Sequence, residues 1–275
     1  MSTSTTFNLP PTPPPEITPS VSYIDFASTP LKKFAGFYAL IIDNLFSPEE
    51  CQNLISLAES TTDSSLLQYG IEGGAGWQPA KIQVGILPTD QELDTSYRYN
   101  DRILRFDHNA AGKIFERVKP FVEKDIGTVT QGSTWGGVVG AGNRVRGTWN
   151  LVGLNERLSF LRYGPGHFFK EHYDGRLELP DGRKSRVTIQ VYLNGSSSGS
   201  DVIEGGATRF YSSNYWNPRK SSRKGVESEP EYLDVEPRTG RVLIFQQRGL
   251  LHSGEPVLKG LKYAMRTDFM FEQTK

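Results

Sequence analysis

The chain has four histidines, His108, His167, His172 and His252, and what they can do depends on the acids that accompany them. In the stretch "HFFKEHYDGRLELPDG", His172 is followed two residues later by Asp174, and no other histidine has an acid at that spacing. Residues i and i+2 of an extended segment project to the same side, so one ion can take both side chains. A ferrous site built from two imidazoles and one carboxylate on one face of the metal leaves three positions open for substrate-derived ligands and dioxygen. The third ligand has to come from elsewhere in the chain, and His252, in "LLHSGEPV" just after an apolar run, is the best candidate. His108 follows Asp107 ahead of a helical pattern and reads as a turn or capping residue. His167 reads as a bystander before the strand, and Tyr173, between the two ligands, is expected to point away from the ion.

These side chains need a scaffold, and its periodicities are visible. "FAGFYALIIDNLFSPEECQNLISLAES" predicts a short apolar strand, a turn, and a helix with Ser47 as N-cap, Pro48 at N1 and Glu50 at N3. Cys51 lies in that apolar helical pattern and is expected in the core. A second helix is predicted in "DHNAAGKIFERVKPFVEKDI", where Ala110, Ala111, Ile114, Phe115, Val118 and Phe121 recur at spacings of three and four. From residue 150 onward, short alternating segments are separated by Gly, Pro, Asn and Asp, which predicts a mainly β core preceded by helices. In "SRVTIQVYLNG", Val187, Ile189, Val191 and Leu193 share one face; Thr188, Gln190 and Tyr192 share the other. In "LKYAMRTDFMFE", Lys262, Ala264, Arg266 and Asp268 share a face. Residues 1–30, rich in Ser, Thr and Pro, read as a flexible tail. The remainder, 31–275, reads as one domain with helical support over about 37–125 and a catalytic β core over about 150–272.

A His-x-Asp before a strand, a second His 80 residues later at a strand end, and a basic residue 10 to 14 places beyond it together resemble the 2-oxoglutarate and iron-dependent dioxygenases, in particular the prolyl 4-hydroxylase-like group. "LRYGPGHFFKEHYDG" is similar to the family's strand in which a tyrosine, here Tyr163, precedes a Pro-Gly turn and the first histidine. "VYLNG" matches the segment whose tyrosine, here Tyr192, helps hold the co-substrate. "EGGATRF" resembles the Gly-Gly pair at a strand entrance, and "HSGEPVLKGLKYAMRTD" the distal histidine with a downstream Pro-Val and Gly-x-Lys. The likeness spans about residues 155–272 and is weaker over 37–125.

The resemblance implies a double-stranded β-helix of the jelly-roll, cupin-like kind. It also implies Fe(II), 2-oxoglutarate as co-substrate, dioxygen and ascorbate as reductant, with succinate and CO2 released as a small molecule or a prolyl-type peptide residue is hydroxylated. Lys262, 10 residues after His252, stands at the family's spacing for the cation that holds the remote carboxylate of 2-oxoglutarate, with Tyr192 as hydroxyl donor. Arg266 is a rival on the same strand face, because its planar fork suits a carboxylate. Asp268 is an alternative, internal partner for Arg266. Halogenating relatives replace the acid with a small residue, so Asp174 points to oxidation without halide. Candidate substrate contacts are Arg209, Gln190, Asn155, Arg157 and Trp216, the last with Tyr215 in the polar stretch 212–231, which reads as a solvated surface loop in preference to a binding lid.

Composition limits the partners. Lys+Arg and Asp+Glu are equal at 31 each, so no long-range field draws the chain to nucleic acid or to an anionic membrane. An oxidative nucleic-acid demethylase is the alternative within the same chemistry, disfavoured by that neutrality, and a non-catalytic module of the same fold is disfavoured by the intact ligand set. Neither a membrane span nor a signal peptide is apparent. The single cysteine suits a reducing compartment, so an intracellular, most simply cytoplasmic, location is expected.

Overall fold

The alternation read from the second half of the chain corresponds to strands that switch between two facing sheets. The structure, a computed structural model, describes residues 7–60, 76–85, 90–140, 145–195, 202–212 and 231–274. Ahead of the β core come β1 (Ser20–Tyr23), β2 (Ala39–Asp43), helix α1 (Pro48–Glu59), β3 (Asp101–Phe106), helix α2 (His108–Ile126) and β4 (Thr148–Leu154). The core then comprises β5 (Arg157–Tyr163), β6 (Phe168–His172), β7 (Lys184–Tyr192), β8 (Thr208–Tyr211), β9 (Tyr232–Val235), β10 (Val242–Gln246), β11 (His252–Gly254) and β12 (Lys262–Thr274).

The larger sheet runs β1-β2-β10-β7-β12-β5-β3, with β4 also paired to β12; the smaller runs β9-β8-β11-β6, flanked by the short strand Arg98–Tyr99. Along the chain, β5, β7, β10 and β12 lie in the first sheet and β6, β8, β9 and β11 in the second. The core therefore crosses repeatedly between two antiparallel sheets, which is a double-stranded β-helix. Its open end lies where Asp174 comes after β6 and His252 begins β11.

Both helices cover the outer face of the larger sheet. Ser47 accepts from the Glu50 amide at 3.0 Å while the Glu50 carboxylate accepts from the Ser47 amide at 2.9 Å, so the expected capping box opens α1. Asp107, one residue before His108, caps α2. Ala110, Ala111, Ile114 and Val118 are buried as the periodicity predicts, whereas Phe115 and Phe121 are only partly covered. They pack against Val187, Ile189 and Val191 of β7 and their neighbours, each fully buried aliphatic side chain contributing about 1.5–3 kcal/mol. Buried Cys51 joins this core, where burial pushes its thiol up to about 12. With the outer face of β7 committed to the helices, Thr188, Gln190 and Tyr192 turn inward.

The N-terminal segment departs from expectation. Residues 7–30 form a strap: Leu9 and Phe26 are buried, β1 pairs with β2, and the buried Arg117 of α2 donates to the Pro10 carbonyl at 2.6 Å while pairing with Glu50 at 2.7 Å. Composition undercounts such a segment, because two well-placed apolar anchors and a strand pairing suffice to order it. Residues 213–230, with Trp216 and Tyr215, lie outside the described residues. Among those described, no helix is long and apolar enough to cross a membrane.

Candidate metal centre and its pocket

His172 ends β6, His252 begins β11, and the two pair in register across adjacent strands, so their imidazoles face one another with ring centroids 4.3 Å apart. Asp174 reaches the same point from the segment after β6: its Oδ1 lies 3.9 Å from His172 Nε2 and its Oδ2 3.7 Å from His252 Nε2. Candidate ligand atoms of the three residues all fall within 4.8 Å of one another. Two ligands of one first-row ion, each about 2.0–2.2 Å from it, can be no more than roughly 4.4 Å apart, so shifts of a few tenths of an ångström would close this set on a metal.

Hydrogen bonding fixes the ligand atoms. His172 Nδ1 meets the Lys170 carbonyl at 2.7 Å and His252 Nδ1 the Leu250 carbonyl at 3.1 Å. A carbonyl only accepts, so each Nδ1 carries the proton and each Nε2 presents its lone pair to the shared point. Burial, joined by repulsion from His252, holds His172 well below its ordinary value, and burial lowers His252 too; both stay neutral, as ligation requires. Burial alone would raise the Asp174 carboxyl, but Arg266, the two histidines and Thr188 outweigh it and keep the group ionised far into acid. Thr188 donates to Asp174 Oδ2 at 2.6 Å and Arg266 Nη2 sits 2.8 Å from Oδ1, so both oxygens are oriented. Tyr173 is 47% exposed and points away, as expected. His167 takes no part and stacks on Tyr99.

The pocket behind these residues is lined by Tyr163, Gln190, Thr208, Lys262 and Arg266, among others. Lys262 is 2% exposed; its ammonium donates to the Gly206 carbonyl at 2.6 Å and has no carboxylate partner among the described residues. Gly205 and Gly206 have φ of +75° and +74°, and a side chain on Gly206 would press on Val257 and on the Lys262 stem, so the Gly-Gly turn is what lets that carbonyl reach the lysine. Burial lowers Lys262 to about 8. Arg266 already faces two carboxylates, Asp174 and, at 3.3 Å, Asp268. Of the two rivals, the lysine is the one with no carboxylate at ion-pair distance among the described residues, Glu236 acting on it only from further away.

Other expected contacts are redistributed. Tyr192 is fully buried and does not line the pocket; its hydroxyl donates to Thr208 Oγ1 at 2.7 Å, and Gln190 Nε2 donates to the same atom at 3.0 Å. With both acceptor positions used, the Thr208 proton is left to point elsewhere, and Thr208 itself faces the pocket. The hydroxyl donor offered beside Lys262 is therefore Thr208, with Tyr192 holding it in place.

Arg209, one residue on, points to the opposite face, where Asp234 takes its fork at 2.6 and 2.7 Å, Glu255 lies at 3.0 Å and Tyr232 stacks beneath it; it is not a pocket residue. Asn155 lines the pocket but spends its carbonyl on the Arg157 amide. Arg157 lines it too, joined by Arg98 and Arg102 of "SYRYNDR", an Arg-rich stretch that in the sequence reads only as a weak nucleic-acid patch because it lies outside the β core that carries the motifs. Thr208→Val should weaken the apparent affinity for 2-oxoglutarate by about tenfold or more, as loss of a hydrogen bond to a charged group implies, and Tyr192→Phe by less. Co-substrate titration of both variants at constant iron content checks this ranking.

Comparison with known proteins places these observations in a family setting. Residues 158–269 match the model of the 2OG-Fe(II) oxygenase superfamily. Over 256 residues, 86% of this chain and 69% of the relative, the sequence is 25% identical to Prolyl 4-hydroxylase 5 of Arabidopsis thaliana. Among solved structures it is similar to a viral collagen prolyl hydroxylase from Paramecium Bursaria Chlorella virus-1 in its 2OG complex, at 19% identity and TM-score 0.45, covering 86% of this chain and 97% of that one. A prolyl-4-hydroxylase from Pseudomonas putida is similar at 16% identity and TM-score 0.47, over 89% and 95%.

Proposed function

We propose that this chain, whose residues 158–269 match the 2OG-Fe(II) oxygenase model, is a dioxygenase using Fe(II), 2-oxoglutarate and dioxygen, with His172, Asp174 and His252 holding the iron and Lys262 anchoring the co-substrate. The observation that carries the assignment is the convergence of two neutral Nε2 atoms and one oriented carboxylate on a single point in a pocket that also holds a buried lysine with no carboxylate at ion-pair distance. The iron, when bound, supplies the redox chemistry that couples decarboxylation of 2-oxoglutarate to succinate with hydroxylation of a second substrate.

The residues supply the rest. His172, Asp174 and His252 would hold the ion through three donors, fewer than such an ion can take, so the co-substrate and dioxygen could reach it as well. Lys262 and the Thr208 hydroxyl receive the remote carboxylate, backed by Tyr192 and Gln190. Tyr163, whose ring lies 5.0 Å from the Lys262 ammonium, walls that end of the pocket and keeps water from the pair. Thr188 and Arg266 prevent Asp174 from rotating off the metal. The substrate proposed is a small molecule or a peptidyl residue of the prolyl type, the second suggested by the relatives' names. An intracellular setting goes with this, since the lone cysteine suits a reducing compartment where ferrous iron persists.

The test is succinate formation from 2-oxoglutarate by the purified chain, with and without Fe(II). Iron-dependent succinate is the expected result; none under any metal supply would refute the reading.

A further inference from the structure

The lining of the pocket is more positive than iron and 2-oxoglutarate can account for. Arg98, Arg102, Arg157 and Arg266 join Lys262 along the lining, while its carboxylates are Asp174 and Asp268. Fe(II) and doubly ionised 2-oxoglutarate cancel, so five cations against two carboxylates leave three positive charges unbalanced in a partly buried site, where an unpaired charge costs more than it does in open water.

The arginines differ in what already satisfies them. Arg266 has its two aspartates, although its Nε is buried without a partner. Arg98 donates to Asn100 and lies 4.4 Å over the Phe169 ring. The guanidinium groups of Arg102 and Arg157 make no ion pair and no hydrogen bond among the described residues. Burial and repulsion from Arg98 and Arg157 pull Arg102 down to about 9, and burial lowers Arg157, so this wall is strained toward any anion that reaches it.

Strand register separates Arg157 from the co-substrate. Lys262 pairs with Tyr163 at one end of β5, Arg266 pairs with Ser159, and Arg157 stands at the other end beside Phe106 of β3. Six residues of strand span roughly 20 Å, beyond the reach of a five-carbon dicarboxylate anchored at Lys262. Arg102, opposite Leu161 on the neighbouring strand, stands in register between the two ends, close enough to Arg157 for the two charges to repel. The iron ligands, gathered around Arg266, fall between the two ends.

Resting on the oxygenase reading above, we propose that the substrate oxidised here is a small anionic molecule whose carboxylate or phosphate is bound by Arg102 and Arg157, with Arg98 behind them. A planar guanidinium takes either oxyanion through two parallel hydrogen bonds. A neutral prolyl ring would leave the three charges unanswered. A peptide would have to bring its acidic groups inside the pocket alongside the oxidised carbon, whereas a small acid carries both together.

The test is calorimetric titration, under nitrogen, of the protein loaded with Fe(II) and saturating 2-oxoglutarate, and again of the protein alone. The probes are matched pairs differing in charge, N-acetyl-L-proline against N-acetyl-L-prolinamide and glycerol 3-phosphate against glycerol, together with end-capped neutral and acidic prolyl peptides. The charged member of at least one pair should bind about tenfold or more tighter than its neutral counterpart, and the pair that responds tells carboxylate from phosphate. Arg102→Gln and Arg157→Gln should each erase most of that ratio, the Arg→Lys variants should retain part of it, and 2-oxoglutarate affinity should move less than twofold.

Equal binding within both pairs, no binding of either charged probe, tighter binding of a capped peptide, or variants that lose 2-oxoglutarate instead of the probes would overturn the proposal. Absence of iron-dependent succinate would refute the oxygenase reading separately, since the charge preference is expected in the protein alone as well.

Discussion

Alanine at His172, Asp174 or His252 should each bring iron-dependent succinate formation to background and weaken Fe(II) binding by more than about a hundredfold. The reason is geometric. Three ligand atoms within 4.8 Å of one another form a site only together, and loss of one leaves two donors that many surface pairs could match. Altering residues behind metal ligands typically costs 10–100-fold in affinity, so removing a ligand itself should cost more. The three variants should differ in stability. His172→Ala and His252→Ala delete neutral rings, whereas Asp174→Ala also takes from Arg266 one of its two carboxylates and from Thr188 its acceptor. The thermal midpoint should fall furthest for Asp174→Ala, with Asp174→Asn between. Equilibrium dialysis with Fe(II), succinate assay and thermal melts read these outcomes independently; full turnover in any variant would remove that residue from the site.

Lys262→Met should raise the 2-oxoglutarate concentration needed for half-maximal turnover by about ten- to a hundredfold with iron binding intact, since a charge-assisted hydrogen bond contributes about 1.5–3 kcal/mol. Methionine keeps most of the apolar stem and removes the ammonium, which lies 5.0 Å from the Tyr163 ring and 5.6 Å from the Tyr192 ring and donates to the Gly206 carbonyl. The lysine should also set a pH dependence. Burial lowers it to about 8, so the ammonium prevails below that value and the neutral amine above it. A carboxylate binds the ammonium, so affinity should weaken as pH rises past 8, by as much as tenfold per unit. Lys262→Arg, charged throughout, should flatten that limb. A Lys262→Met variant with unchanged co-substrate affinity, alongside an Arg266→Met variant that loses it, would transfer the anchor to Arg266.

Local spacing carried the metal centre furthest from sequence to structure. His172 and Asp174 stand two apart at a strand end, and the pairing of β6 with β11 brings in His252, so the residues the motif joined are the ones the sheet joins. The sheet pattern was legible for a similar reason: β7 and β12 must show one face to the helices and the other to the pocket, and period-two alternation records that.

What stayed hidden depended on facing. In "GGATRF" the charged Arg209 drew attention, yet neighbours on a strand point to opposite faces, and it is Thr208, paired with Gly254, that looks inward while Arg209 turns out to Asp234. Nothing local says which parity applies. Tyr192 shares the inward face but lies one layer deeper, against Thr208, and depth is a property of packing. Arg98 and Arg102 precede every motif and reach the pocket only through the pairing of their strands with β6 and β5. The N-terminal strap was misread because its ordering rests on a few distant partners, chiefly β2 and Arg117, which composition cannot see.

The most direct test of the metal assignment is diffraction at the iron edge from crystals grown under nitrogen with Fe(II) and 2-oxoglutarate. One anomalous peak per chain, bonded to the Nε2 atoms of His172 and His252 and to the Asp174 carboxylate, with the co-substrate's far carboxylate on Lys262 and Thr208, is the predicted result. Iron bound at other residues, or none retained between these three, would contradict it.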